Sequence, residues 1–312
     1  MNKKNLMLLA GLIVLVIIFF LAKKKEHIET DFSIFGIDSL KVETIKLSTE
    51  EDTLIIIKDN GNWMINYPVK ADVKPSQIQQ FFKEVVFARV PINPMSENET
   101  SQEKYSVADG QGYRINLADK SGQTIADHIV GEGSNWEYSY IRKVGDNKIY
   151  QLRTNAYRIC KPDLRQWRNN VFLEIDDEMI DKVHIQHGSD DYEMIRTPGE
   201  KEAVWTYKDK DEEFVVLRTN PQLRKFFGFS KAFRTQSFRD NQWDSLSKLF
   251  EKPEVVATIY LKDGTQHTVT MVKDTDNKVL LKKDDYTYTI YESSADLLSR
   301  LSFSKEQFKN EK

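Results

Sequence analysis

The stretch LIIIKDNGNWMI, residues 54–65, reads as a strand, a tight turn and a returning strand. Apolar side chains crowd both arms, and Asn60-Gly61 supplies the positive φ angles that a type I′ hairpin turn requires. Just upstream, Ile45 and Leu47 alternate with Lys46 and Ser48, the period-2 pattern of a strand with one buried face. The same order returns later in the chain. Ile175-Asp176 answers Ile37-Asp38, and Val183 and Ile185 alternate with His184 and Gln186. Residues 192–196 form the next strand, residues 197–202 a longer loop, and Val204-Trp205 places a tryptophan where Trp63 falls in the first half.

A helix follows each tryptophan. Pro75 opens the first, with Ile78, Phe81, Phe82, Val85 and Val86 along one face. Asn220 caps the second, Pro221 enters its first turn, and Leu223, Phe226 and Phe227 repeat the stripe. Phe81-Phe82 stand as far from Arg89 as Phe226-Phe227 stand from Arg234. Further strands are predicted at 113–117, 125–130, 138–142 and 148–152, and again at 256–261, 268–272, 279–283 and 286–291. Helical stretches at 155–167, interrupted at Pro162, and at 293–301 close the two halves. Any two α+β domains share strands and hairpins. The common order of tryptophan, double phenylalanine, arginine and terminal hairpin nevertheless predicts duplication.

Residues 6–22, LMLLAGLIVLVIIFFLA, contain no charge and are flanked by Lys3-Lys4 and Lys23-Lys24-Lys25. At 1.5 Å per residue the run reaches about 26 Å, enough to cross a bilayer with snorkelling lysines. A cleaved signal peptide would end in small residues, whereas this run ends Phe19-Phe20-Leu21-Ala22 before lysine, so a retained anchor is expected. Charge on the two flanks nearly balances and leaves orientation open; a long downstream region can be translocated regardless of its charge, which favours an extracytoplasmic bulk.

The expected fold class is therefore α+β, two tandem repeated modules of antiparallel sheet plus helices, preceded by one transmembrane helix. The division is an anchor at 1–25, a linker at 26–37, modules at 38–175 and 176–305, each long enough for its own core, and a polar tail at 306–312. A net charge of −3 speaks against a nucleic-acid partner. The single cysteine, Cys160, forbids an internal disulfide and any multi-cysteine metal site.

The span, the Glu29-Thr30-Asp31 lead-in, the strand pair ending Gly61-x-Trp63 and the YPVKAD approach at residues 67–72, with its second appearance downstream, together resemble the bacterial domain-of-unknown-function family numbered 4340. The resemblance covers nearly all of the chain after the anchor. It implies single-span or lipid-anchored envelope proteins, some encoded beside auxiliary components of ABC-type transporters related to gliding machinery, and it assigns no residue a role. The second copy departs from the pattern, with Tyr207-Lys208-Asp209-Lys210 in place of the proline-alanine-aspartate approach.

Catalytic patterns are sparse. Gly131-Glu132-Gly133-Ser134 lacks the third glycine and the lysine of a phosphate cradle and reads as a hairpin loop. There is no Gly-x-Ser-x-Gly. His184 and His187 would point to opposite faces of a strand, a poor metal pair. Asp176, Asp177, Glu178 and Asp181 form an acidic connector better suited to a solvated face than to acid–base work. No catalytic residue, metal ligand or cofactor is predicted, and any small-molecule ligand is unassigned.

One basic, aromatic segment is a candidate binding patch: Arg153, Tyr157, Arg158, Lys161, Arg165, Trp167 and Arg168. Arginine forks suit phosphate or carboxylate partners, and aromatics suit headgroups, glycans or protein. The competing expectation is that the segment neutralises the acidic connector at 174–181 and fixes the modules together. The functional expectation is a non-catalytic accessory or scaffold protein of an envelope complex, an ABC-type transporter assembly being one such complex. It would sit in the inner membrane through residues 6–22, single-pass, with its bulk in the periplasm and a protein partner. The alternatives are a binding module for an envelope polymer or anionic lipid and, third, an enzyme.

Overall fold

The computed structural model describes residues 30–198, 204–235, 237–274, 277–284, 286 and 288–309. The anchor expected at 6–22 lies outside the described residues. Among the described residues no helix is long and apolar enough to cross a membrane.

The first half carries β1 (Asp31–Ser33), β2 (Thr44–Ser48), β3 (Thr53–Asp59), β4 (Asn62–Tyr67), β5 (Ala71–Asp72), β6 (Arg89–Pro91), β7 (Tyr113–Ala118), β8 (Thr124–Glu132), β9 (Ser139–Lys143) and β10 (Ile149–Leu152). The second carries β11 (Val171–Leu173), β12 (Ile180–His187), β13 (Asp190–Thr197), β14 (Val204–Lys208), β15 (Glu213–Val216), β16 (Phe233–Arg234), β17 (Ser237–Asp240), β18 (Val255–Leu261), β19 (Gln266–Lys273), β20 (Lys278–Lys283) and β21 (Thr289–Ser294).

These strands build two large antiparallel sheets, an α+β molecule rich in sheet. The eight-stranded sheet runs β5-β4-β3-β2-β7-β8-β9-β10, and the nine-stranded sheet runs β15-β14-β13-β12-β18-β19-β20-β21-β17. Position by position the two orders agree, and β17 alone is extra. A short pair accompanies each sheet, β1 with β6 and β11 with β16. Arg89 lies in the first pair and Arg234 in the second.

Each sheet buries one face beneath its helix. Ile45, Leu47, Leu54 and Ile56 meet Ile78, Phe81 and Val85 from the helix Pro75–Phe81 and the wider turn Phe82–Val86 that continues it. Val183, Ile185, Met194 and Trp205 meet Phe226 and Phe229 from the helix Pro221–Lys231. The paired phenylalanines pack alike, with ring centroids 5.7 Å apart for Phe81–Phe82 and 5.8 Å for Phe226–Phe227. Trp63 reaches Phe82 at 5.8 Å and Trp205 reaches Phe227 at 5.3 Å. Cys160 is fully buried in the first core, and burial pushes its thiol well above the ordinary range.

Three expected boundaries move. The stretch read as a linker up to residue 37 contributes Phe35 to the first core and β1 to a strand pair. Phe172, Leu173 and Ile175 belong to the second core rather than the first, because β11 pairs with β16. The expected polar tail brings Phe308 into the second core, 5.6 Å from Phe303. The helix expected over 155–167 is two single turns, Ala156–Ile159 and Leu164–Trp167, capped by the Asn155 and Asp163 side chains.

Candidate functional site

The chain between Arg153 and Arg168 leaves β10, makes two short helical turns and enters the second half. Such short turns send neighbouring side chains in different directions, and the seven residues of the candidate patch divide accordingly. Arg153 is exposed on the surface. Tyr157, Lys161 and Arg165 line an open groove of about 740 Å³. Arg158 lines a separate groove. Trp167 and Arg168 are buried and belong to no surface patch. Trp167 packs edge-on against Phe81 at 5.7 Å and donates its indole N–H to the Lys161 carbonyl at 2.9 Å, which satisfies its one polar atom inside the core.

The groove around Tyr157 is walled on its far side by the β2–β3 turn. Thr49 Oγ accepts the backbone N–H groups of Glu51 and Asp52 at 3.2 and 2.9 Å, presenting Glu50, Glu51 and Asp52 along the rim. Tyr113 stacks on Tyr157 at 4.3 Å, and burial together with the neighbouring Tyr157 hydroxyl raises the Tyr113 hydroxyl above its ordinary range. Gly112 is held at φ +63°, where a Cβ would drive into the carbonyl oxygens of Val130 and Ser106, so the floor tolerates no side chain there.

Opposite the acidic rim, Asp163 lies 3.6 Å from Lys161 Nζ and 3.5 Å from Arg165 Nε. Partial burial would raise its carboxyl, but hydrogen bonds from Arg165 and the nearby cations outweigh this and hold it below the usual carboxylate range. The groove thus sets carboxylates against a lysine and an arginine across a tyrosine floor. Such a surface offers hydrogen bonds and charge rather than apolar contact.

Arg168 does something else. Its guanidinium grips Asp240 through two bonds of 2.6 and 2.7 Å, donates to Thr289 Oγ at 3.2 Å and lies 3.5 Å above the Phe238 ring. Beside it the Tyr288 hydroxyl donates to Asp72 at 3.0 Å. Burial, then the Asp72 charge, raises the Tyr288 hydroxyl above its ordinary range and keeps it a donor. This joint links β5 and the end of the basic segment to β17 and β21. Lys161 and Arg165 pair with Asp163 and Arg168 with Asp240, whereas Glu174 pairs with Arg234, and Asp177 and Glu178 with Arg218. The expected neutralisation of the basic segment by the acidic connector is therefore replaced by partners at other positions, because the connector folds against the second half's own arginines.

His184 bonds to Asp191 at 2.6 Å on the neighbouring strand, and His187 lies further along β12. The 131–134 run ends β8 and begins the loop to β9, where Cβ atoms on Gly131 and Gly133 would collide with backbone carbonyls. Among the described residues no three His, Cys, Asp or Glu side chains stand close enough to hold a metal ion. Asp240 and the exposed Trp136 had no place in the sequence reading. A lone tryptophan in the polar loop Ser134-Asn135-Trp136-Glu137 was a usable signal for the second; the pairing of Asp240 with Arg168 had none.

The sequence model of a family described as a domain of unknown function, DUF4340, matches residues 63–244. The chain belongs to the DUF4340 family. The match in this DUF4340 protein starts in β4 of the first sheet and ends just past β17, so it spans the Arg168–Asp240 joint. No curated protein and no solved structure matches the chain.

Proposed function

We propose that this DUF4340 protein is a non-catalytic accessory or scaffold subunit of an envelope complex, anchored in the inner membrane by residues 6–22 with its sheets in the periplasm. We further propose that its halves are tandem modules from one duplicated unit. The common strand order and the matched placement of Trp63 and Trp205, of the double phenylalanines, and of Arg89 and Arg234 support duplication. The observation that carries the scaffold reading is the buried Arg168–Asp240 joint. It holds two sheets in fixed relation and leaves a mixed-charge groove open on the first, the form of a rigid platform for a protein partner. An ABC-type transporter assembly is the complex we favour. In-cell crosslinking of the tagged, membrane-embedded chain, followed by mass spectrometry, tests it: transporter subunits should be recovered in fixed stoichiometry. Recovery of the chain alone would overturn the reading.

A further inference from the structure

A second groove of about 740 Å³ opens between the helix Pro75–Phe81, the loop after β8 and the turn Ala156–Ile159. Its size falls within the ~300–1,000 Å³ of ordinary ligand clefts. Its lining is mostly amide and carboxylate, with one arginine, Arg158, one isoleucine, Ile159, and a single aromatic. Trp136 is 78% exposed and makes no hydrogen bond or ring contact among the described residues. An indole left bare on a polar loop has no role in the core and offers a flat apolar face beside one N–H donor.

The amides are held ready. Gln77 Nε2 donates to the Ile159 carbonyl at 3.3 Å, and Gln166 Nε2 donates to the same oxygen at 3.1 Å and to the Arg158 carbonyl at 3.0 Å. With their nitrogens committed to backbone, both side chains keep their carbonyl oxygens as acceptors without a protein partner among the described residues. Asn155 accepts the Arg158 backbone N–H at 3.1 Å and keeps its own NH₂ as a donor. The Arg158 guanidinium forms no ion pair among the described residues, and Glu84 and Glu137 add carboxylate acceptors. The groove therefore offers both donors and acceptors beside one aromatic plate.

We infer that this groove binds an uncharged oligosaccharide, whose C–H face would lie on Trp136 and whose hydroxyls, each both donor and acceptor, would pair with the amides and carboxylates. A lipid chain or apolar peptide would need apolar walls, which only Trp136 and Ile159 supply. An anionic polymer would find one cation, Arg158, against the two carboxylates of Glu84 and Glu137. The inference is independent of the anchor and of any partner complex, and it uses a groove other than the one around Tyr157.

The test is titration calorimetry on the full chain in a detergent without a sugar headgroup, with cellotetraose, maltotetraose and tetra-N-acetylchitotetraose as probes. Saturable binding of at least one is expected. Trp136→Ala should weaken it about tenfold or more, since most of the apolar contact goes with the indole. Gln166→Ala should weaken it by a smaller factor, and Arg165→Ala, in the other groove, should leave it unchanged. Trp136 is outside both cores, so its variant should keep the wild-type circular dichroism spectrum. No saturable binding of any probe, or binding that survives Trp136→Ala, overturns the inference. So does Trp136-dependent binding to anionic-lipid vesicles in place of sugar.

Discussion

His128 on β8 is buried, with its ring 4.4 Å from that of Phe35, and neither ring nitrogen meets hydrogen-bond geometry with a neighbour among the described residues. Burial lowers its pKa to about 4; the Ile34 backbone and Asp127 oppose this only in part, while Lys143 across the strand pair adds to it. The unfolded imidazole takes up its proton near 6.5, so the unfolded chain binds more protons between those values. Stability is then complete above pH 6.5 and falls as pH drops toward 4, by up to about 3 kcal/mol. Urea denaturation at pH 7.5, 5.5 and 4.5 should show this slope in the native chain and a flatter one in His128→Leu. An equal slope in both would remove His128 as the cause. Trp167→Ala should cost roughly 3–5 kcal/mol through the cavity it leaves. Arg165→Ala, at 91% side-chain exposure, should stay within about 0.5 kcal/mol. Trp167 and Arg165 look alike as members of a basic, aromatic segment. Only the fold shows that one indole N–H is satisfied by the Lys161 carbonyl while its neighbour's charge stays in water.

Strand β17 is the one member of the second sheet without a counterpart in the first, and it brings Asp240 and Phe238 to Arg168. The strand without a counterpart is thus one of those that join the halves, together with β21. Asp240→Ala leaves the buried Arg168 charge unpaired and should cost about 3–5 kcal/mol, Arg168→Ala leaves the half-buried Asp240 and should cost less, and the double change Arg168→Met with Asp240→Leu should recover most of the loss. Calorimetry checks it: each single variant should split the melt into two transitions, and an unchanged single transition would show that the joint does not couple the sheets. β17 was not legible in the sequence because Ser-Phe-Arg-Asp has neither alternation nor length, and its partner β21 lies far downstream, with Asp240 opposite Thr289 and Ser237 opposite Glu292. β15 escaped for the same reason, as a short edge strand with Val215 exposed. By contrast, β2 to β4 and β12 to β14 were legible because alternation and tight turns are local signals.

At the scale of the molecule, the two main cores are distinct clusters, one per sheet. Residues 30–169 and 170–309 expressed separately should each unfold cooperatively. A cut at residue 175 strands Phe172 and Leu173 on the wrong piece and should leave the second half markedly less stable, as urea midpoints of the two versions would show. The α+β class was open to sequence reasoning; the grooves were not. Each groove assembles residues more than fifty positions apart, and polar lining leaves no periodic trace. One buried atom gives a practical handle on the remaining question of sidedness. The Cys160 sulfur is the chain's only thiol, sealed in the first core and held protonated, so maleimide reagents should pass the native protein by. A cysteine introduced at the exposed Lys120 turn would then be the sole reactive tag, and the side from which a membrane-impermeant reagent reaches it would report which compartment the sheets occupy.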